Sequence, residues 1–269
     1  MTYSTGLELI LNAAEGALQI IVTDDEKILC AQQWHRPERA TELLAPALAH
    51  MVKALGTDIS LLRRIACVRG PGSFTGIRLV LATAAALRRT GRAQLAALDY
   101  LQALATTTTM AMRLPYGTRV LVVTHARRDS VHFRPFVSFG HQIPAQPTEP
   151  CTVPRPEDVP ELARALAETC EGTHPLYVCG SALTRHPALR ERLEGLAGTL
   201  PMPEVSIPSI AALCLLARHG DYFPEDVEPL YVRPSDAEEN LPQLAERMGK
   251  DPEEAARDLV RLLHRPAGG

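Results

Sequence analysis

Arg69-Gly70-Pro71-Gly72-Ser73-Phe74-Thr75-Gly76 is the stretch on which the reading of this sequence turns. A short apolar run, Ile65-Ala66-Cys67-Val68, precedes it, and a helical pattern from Ile77 to Arg89 follows. The stretch is therefore expected to turn the chain from a buried strand into a helix. Three glycines and a proline let the backbone turn sharply and approach a neighbour closely. Ser73 or Thr75 is placed to cap the helix by accepting from its first amides. A helix start of this kind is positively polarised, so a phosphate loop and a plain structural turn both remain open. No Gly-Lys-Ser/Thr follows, which excludes a P-loop, and the glycine spacing is one residue too long for the dinucleotide fingerprint.

The string Gly70 to Arg78, with the Ala-rich helix behind it, closely resembles the signature of the TsaB (YeaZ) family. Leu98-Asp-Tyr-Leu-Gln-Ala-Leu-Ala105, Pro208 to Ala217 and Pro229-Leu-Tyr-Val-Arg233 also look like stretches of that family. The resemblance implies an α/β chain of the actin-like ATPase (ASKHA, ribonuclease H-like) fold, with two lobes, each a mixed sheet with helices. It implies residues 1–112 as the first lobe, completed by 206–234, then a reduced second lobe at 113–205 and an extension at 235–269. It also implies a non-catalytic subunit in synthesis of tRNA threonylcarbamoyladenosine. Such a subunit pairs with the catalytic paralogue TsaD, works with the ATPase TsaE, and meets tRNA only through the complex. No cofactor is implied for this chain alone; any ATP or ADP would sit at a shared interface, and the glycine loop Gly70, Pro71, Gly72, Ser73, Phe74, Thr75, Gly76 and Arg78 would touch either a nucleotide or a partner protein.

The sequence departs from the family near its start. Aligned on Glu15, the family's strand-ending Asp-Thr is replaced by Leu11-Asn12, and leucine cannot ligate magnesium. The family's His-Ser/Thr before the first long helix appears as Ala40-Thr41, and its Asp-Ala-Arg as His125-Ala126-Arg127. These losses argue against a free-standing ATP-dependent enzyme, the alternative reading. A divergent homodimeric scaffold outside the pathway is the third.

Composition fits this. The 269 residues are 46% hydrophobic and 22% charged, with a net charge of −3, so bulk charge does not suggest unaided tRNA binding. Six cysteines carry no C-x-x-C pair and read as buried thiols of a reducing compartment. No apolar run suits a membrane and the start is polar, so a cytoplasmic protein without membrane contact is expected. The nine histidines include no i, i+4 pair, and neither G-x-S-x-G nor H-E-x-x-H occurs. Ser73 therefore reads as a cap rather than a nucleophile, and His132 as a histidine without a catalytic role.

Strands are expected at 7–11, 17–23, 27–34, 65–68, 94–98, 119–124, 130–136 and 176–179. Helices are expected at 37–55, 77–89, 100–112, 161–171, 188–196 and 208–218, with 140–160 as a loop. Pro46 should kink the first helix or mark its true first turn. Asp251-Pro252-Glu253-Glu254 signals a further helix in the extension. The helix after the glycine loop is apolar on every side, and an all-apolar helix is buried on both sides. Phe74, Ile77, Leu81 and Leu87 are assigned to the sheet. Ala82, Ala85 and Ala86 are assigned to a partner, with Leu43, Leu44, Leu48 and Met51 of the first helix. Alone, the same surface would form an isologous homodimer.

Overall fold

The computed structural model describes residues 6–127, 129–170 and 174–232, together with 245 and 251. The chain begins as a meander, β1 (Leu7–Asn12), β2 (Leu18–Asp24) and β3 (Lys27–Trp34), whose strands pair antiparallel. It continues through α1 (Ala40–Ala54), β4 (Leu62–Val68), α2 (Phe74–Thr90), β5 (Gln94–Leu98) and α3 (Tyr100–Met112). Strand β4 lies parallel to β1, and β5 parallel to β4. The first sheet therefore runs β3-β2-β1-β4-β5.

The second half builds the same sheet again. Here β6 (Arg119–Arg127), β7 (Ser130–Val137) and β8 (Gln146–Pro147) pair antiparallel, while β9 (Leu176–Cys179) and β10 (Thr199–Met202) add parallel strands beside β6. Its order, β8-β7-β6-β9-β10, matches the first sheet strand for strand and direction for direction. This duplicated mixed sheet is the two-lobed actin-like arrangement. The remaining helices are α4 (Val159–Glu168), α5 (Ala182–Arg185), α6 (Pro187–Glu194) and α7 (Ile210–Arg218). After α7 the chain returns to the first sheet, where β11 (Tyr222–Phe223) pairs with β5.

Burial follows this layering. Helices α1 and α2 cover one face of the first sheet. Helices α3 and α7 pack on each other between the sheets, with α7 on β1 and β5, and α3 on β6, β7 and β9. Strand β1 is consequently apolar on both sides, with Leu9, Ile10 and Leu11 all buried. In β6, Val120 and Val122 join the large core shared with the first sheet. Leu121 and Val123 face the smaller core beneath α4, α5 and α6, which is the two-residue period of a strand. His132 is buried, its Nδ1 3.1 Å from Thr124 Oγ1.

Several expected boundaries shift. The first helix starts at Ala40 behind a short 3-10 turn, Pro37–Arg39, and runs on through Pro46. The 140–160 loop carries β8 and a bridge from Phe133 to Thr152. Strands β10 and β11 were not anticipated. The expected helix beginning at Asp251 falls, apart from that residue, outside the described residues. Leu230 closes the first of two compact units, residues 1–230, by donating from its amide to Arg69 O at 2.8 Å. Residues 231–269 form the second unit.

Candidate functional site

The glycine loop lies against the turn that follows β1. Ser73 caps α2 by accepting from the Gly76 amide at 3.3 Å, and its own amide donates to Ala14 O at 2.5 Å. Two glycines allow this approach. A side chain at Gly72 would run into Ala14 O, and one at Gly76 into Ala13 O. Ile77 N donates back to Ser73 O, and Gly70 O accepts from Tyr100 N. The loop thus packs closely on the β1–β2 turn. Pro71 is buried; Gly72, Ser73, Phe74, Thr75 and Arg78 are exposed at the rim.

The turn itself is held by uncharged groups. Asn12, fully buried, donates to Gln19 Oε1 at 2.7 Å and accepts from the Ala14 amide at 2.9 Å. Gln19 passes the network on to Gln33 Oε1 and to Pro208 O. Leu11 is buried in the core. The turn's one carboxyl group is Glu15, which accepts from Ser181 Oγ at 2.7 Å across the junction of the two lobes. Burial pushes the Glu15 carboxyl up to about 7, against the smaller opposing effects of the Ser181 hydroxyl and the Arg185 charge. An apolar Leu11 and an Asn12 amide engaged on both sides supply no anionic oxygen where a magnesium–nucleotide pair would need one.

On the other side of the junction, Ser181 Oγ accepts from the His125 backbone amide at 2.9 Å. The His125 ring meets His186 instead, Nδ1 to Nε2 at 3.2 Å. Burial first, then the Arg185 charge, hold both imidazoles below their ordinary range. Ser181 thus touches a carboxyl group and a main-chain amide, with no imidazole against its oxygen. That is not the nucleophile–base pairing of a hydrolase. Sequence reasoning missed this cluster, because Glu15 and Ser181 lie 166 residues apart.

Helices α1 and α2 carry the residues assigned to a partner, and the structure divides them. Leu44, Leu48 and Met51 are 2%, 8% and 0% exposed and belong to the chain's own core. They cannot present a surface; the stripe that marks α1 as a helix is the stripe its sheet takes. Leu43 is half-buried. On α2, Ile77, Val80, Leu81 and Ala84 are buried, Ala85 is half-buried, and Ala82 and Ala86 are exposed. The helix is not buried on both sides. Phe74 is also a correction: it does not face the sheet but stands 47% exposed, with the Arg78 guanidinium 3.5 Å over its ring. It sits in the first turn of α2. Leu87 is half-buried.

Among the described residues no group of three or more metal-ligating side chains occurs, and no helix is long and apolar enough to cross a membrane.

A family model described as TsaD, tRNA N6-adenosine threonylcarbamoyltransferase, matches residues 36–153. No curated protein matches the chain significantly. Among solved structures, a protein described as similar to the peptidase YeaZ from Pseudomonas aeruginosa superposes with a TM-score of 0.67 at 19% identity. YeaZ from the same organism superposes with a TM-score of 0.65 at 20% identity. Each alignment covers 85% of this chain and 100% of the other. The fold is thus the YeaZ fold, in agreement with the resemblance carried by the glycine loop.

Proposed function

We propose that this chain is a non-catalytic scaffold subunit of tRNA threonylcarbamoyladenosine synthesis, binding TsaD and holding it in an active form. The TsaD-family match over residues 36–153 supports a place in this pathway, because it spans α1, the glycine loop, α2 and α3. The observation that carries the non-catalytic part is the β1–β2 turn. Leu11 and Asn12 stand where the fold's ATPases carry an acid, and Asn12 is committed to Gln19 and Ala14. On this reading the chain needs no cofactor of its own, and any ATP or ADP belongs to an interface shared with the partner. TsaE and tRNA are met through the assembled complex, in the cytoplasm.

The exposed face of α2, with Phe74, Arg78, Ala82 and Ala86, supplies the docking surface in this proposal. Small residues let a second helix approach closely, and Phe74 offers an aromatic anchor beside them. The same face would pair two copies of the chain when TsaD is absent.

Co-expression with TsaD followed by size-exclusion chromatography tests the proposal. A heterodimer is expected, with threonylcarbamoyl transfer to tRNA by TsaD depending on this chain. Separate elution of the two proteins and unchanged transfer by TsaD alone would remove the scaffold reading. The purified chain alone is expected to hydrolyse ATP no faster than background. Turnover that vanishes on replacing Ser73 or Thr75 would restore the enzyme reading.

A further inference from the structure

The end of the second sheet away from the lobe junction holds a cation that the proposed function does not use. Leu121 and Val123 of β6 face the core beneath α4, α5 and α6. Counted back by two, Arg119 takes the same face at the first residue of the strand. Helix α4 leads into β9, which runs parallel to β6, so α4 ends where β6 begins. Beyond the last turn of α4 there is no core left for Arg119 to join. It lines a cleft of about 320 Å³ instead, together with Tyr116, Cys170 and His174. Among the described lining residues there is no Asp or Glu. Arg119 is half-buried and makes no ion pair or side-chain hydrogen bond among the described residues, whereas Arg88 and Arg134 are each held by an aspartate.

We propose that this cleft binds a nucleoside phosphate, with the phosphate on Arg119 and His174 and the base stacked on Tyr116. The phosphate comes from a free nucleotide or from an RNA strand; the chemistry of recognition is the same for both.

The surroundings favour this class of ligand. A half-buried guanidinium without a partner calls for an anion, and its planar fork suits phosphate oxygens. Beside it, Tyr116 is 74% exposed, in a T-shaped contact with Phe139 at 5.1 Å between centroids. Such a contact occupies at most one face of the Tyr116 ring, so the other is open to a base. A basic group next to an open aromatic face is the pairing that single nucleotides and unpaired strands use. The one unfavourable element is the C-terminal end of α4, which carries roughly half a negative charge. Thr169 Oγ1 and Cys170 Sγ donate to Leu166 O and cover part of it. The full charge of Arg119 outweighs the rest and is felt across the cleft: burial raises the Cys170 thiol, and Arg119 opposes the rise. The cleft stands apart from the lobe junction. His125 lies six residues along β6 from Arg119, about 20 Å away. The site therefore does not rest on the scaffold reading.

Titration calorimetry of the full chain with AMP and with inorganic phosphate, and fluorescence anisotropy with a labelled single-stranded adenine RNA, test the site. AMP is expected to bind more tightly than inorganic phosphate, since only AMP brings a base to Tyr116. Arg119→Ala should weaken AMP by about tenfold or more. Tyr116→Ala should weaken AMP by about tenfold and leave inorganic phosphate unchanged. Arg164→Ala, on the exposed side of α4 and outside the cleft, is the control and should change neither. Tyr116 is exposed, so its variant keeps the test open if Arg119→Ala fails to fold. RNA binding that exceeds AMP binding, falls with added salt and is lost in both variants assigns the phosphate to a strand. AMP binding without RNA binding assigns it to a free nucleotide. No saturable binding of AMP or RNA, or binding that either variant leaves unchanged, would overturn the proposal.

Discussion

The guanidinium of Arg134 donates to the carboxylate of Asp99 at 2.8 Å, tying β7 of the second lobe to the residue that caps α3. Both side chains are largely shielded from solvent, at 19% and 17% exposure. Asp99 also accepts from the Gln102 amide, and burial raises its carboxyl group against these two partners. One ion pair thus fixes a helix start and a lobe junction together.

Replacing Arg134 by Ala should leave that carboxylate shielded without its ion-pair partner, held by the Gln102 and Leu101 amides and the more distant charge of Arg69. A loss of about 2–4 kcal/mol is expected at pH 7, because removing one partner of a buried pair strands the other. The sign with pH is testable. Without Arg134, Asp99 is raised further, so the variant binds a proton more readily when folded and the deficit should shrink as pH falls. Urea denaturation at pH 7 and pH 5 checks this; an equal deficit at both would mean the guanidinium acts through packing alone.

Gly76→Ala is expected to destabilise, although alanine is the better helix former. The added methyl would meet Ala13 O, and either α2 or the β1–β2 turn must move. Overpacking of this kind costs about 1–3 kcal/mol. Gly195→Ala is the control. That glycine caps α6 in an ordinary right-handed conformation with no atom nearer than 3.6 Å, so the change should be neutral or slightly stabilising. Thermal melts of the two variants should move apart.

Glu15→Gln should change how stability depends on pH. The folded carboxyl titrates at about 7 against an ordinary 4.5, so its contribution is fully present below 4.5 and is lost as pH rises through 7. The unmodified protein should thus weaken across this window by up to about 3 kcal/mol relative to the variant. The two curves are expected to converge below pH 4.5 and to separate by pH 8, with the variant the more stable. Parallel curves in denaturant titrations would show that Glu15 is not the group responsible.

The parts of the fold legible in the sequence are those with an uninterrupted apolar pattern between turn signals. Lys27–Trp34, Gln94–Leu98, Tyr100–Met112 and Leu176–Cys179 all lie where periodicity places them. Strands β8 and β11 are two residues long, and β10 holds Pro201, so none has a period to read. The glycine loop was legible because its geometry is local: Ser73, Gly76 and the helix they start are consecutive. The Glu15–Ser181 and Asp99–Arg134 contacts were not, since each joins segments that only the duplicated sheets bring together. For α1, the heptad-like spacing of Leu44, Leu48 and Met51 signalled a buried face without telling which body buries it. The answer is the chain's own first sheet.

That answer leaves the outer face of α2 as the surface to test. Ala82 and Ala86 are exposed and four residues apart, so they stack on one side of the helix, away from Val80 and Ala84 in the core. Ala82→Arg with Ala86→Arg adds two long cations where a second helix would have to come close. Because neither site is buried within the chain, the double variant should keep the circular dichroism spectrum and melting temperature of the parent. If TsaD docks on this face, each arginine would be buried unpaired, at a cost of several kcal/mol, enough to dissolve a micromolar contact. Light scattering should then report a monomer, and co-elution with TsaD should be lost. A double variant that folds and still pairs would move the interface off α2, leaving Leu43 and the exposed side of α1 as the next surface to replace.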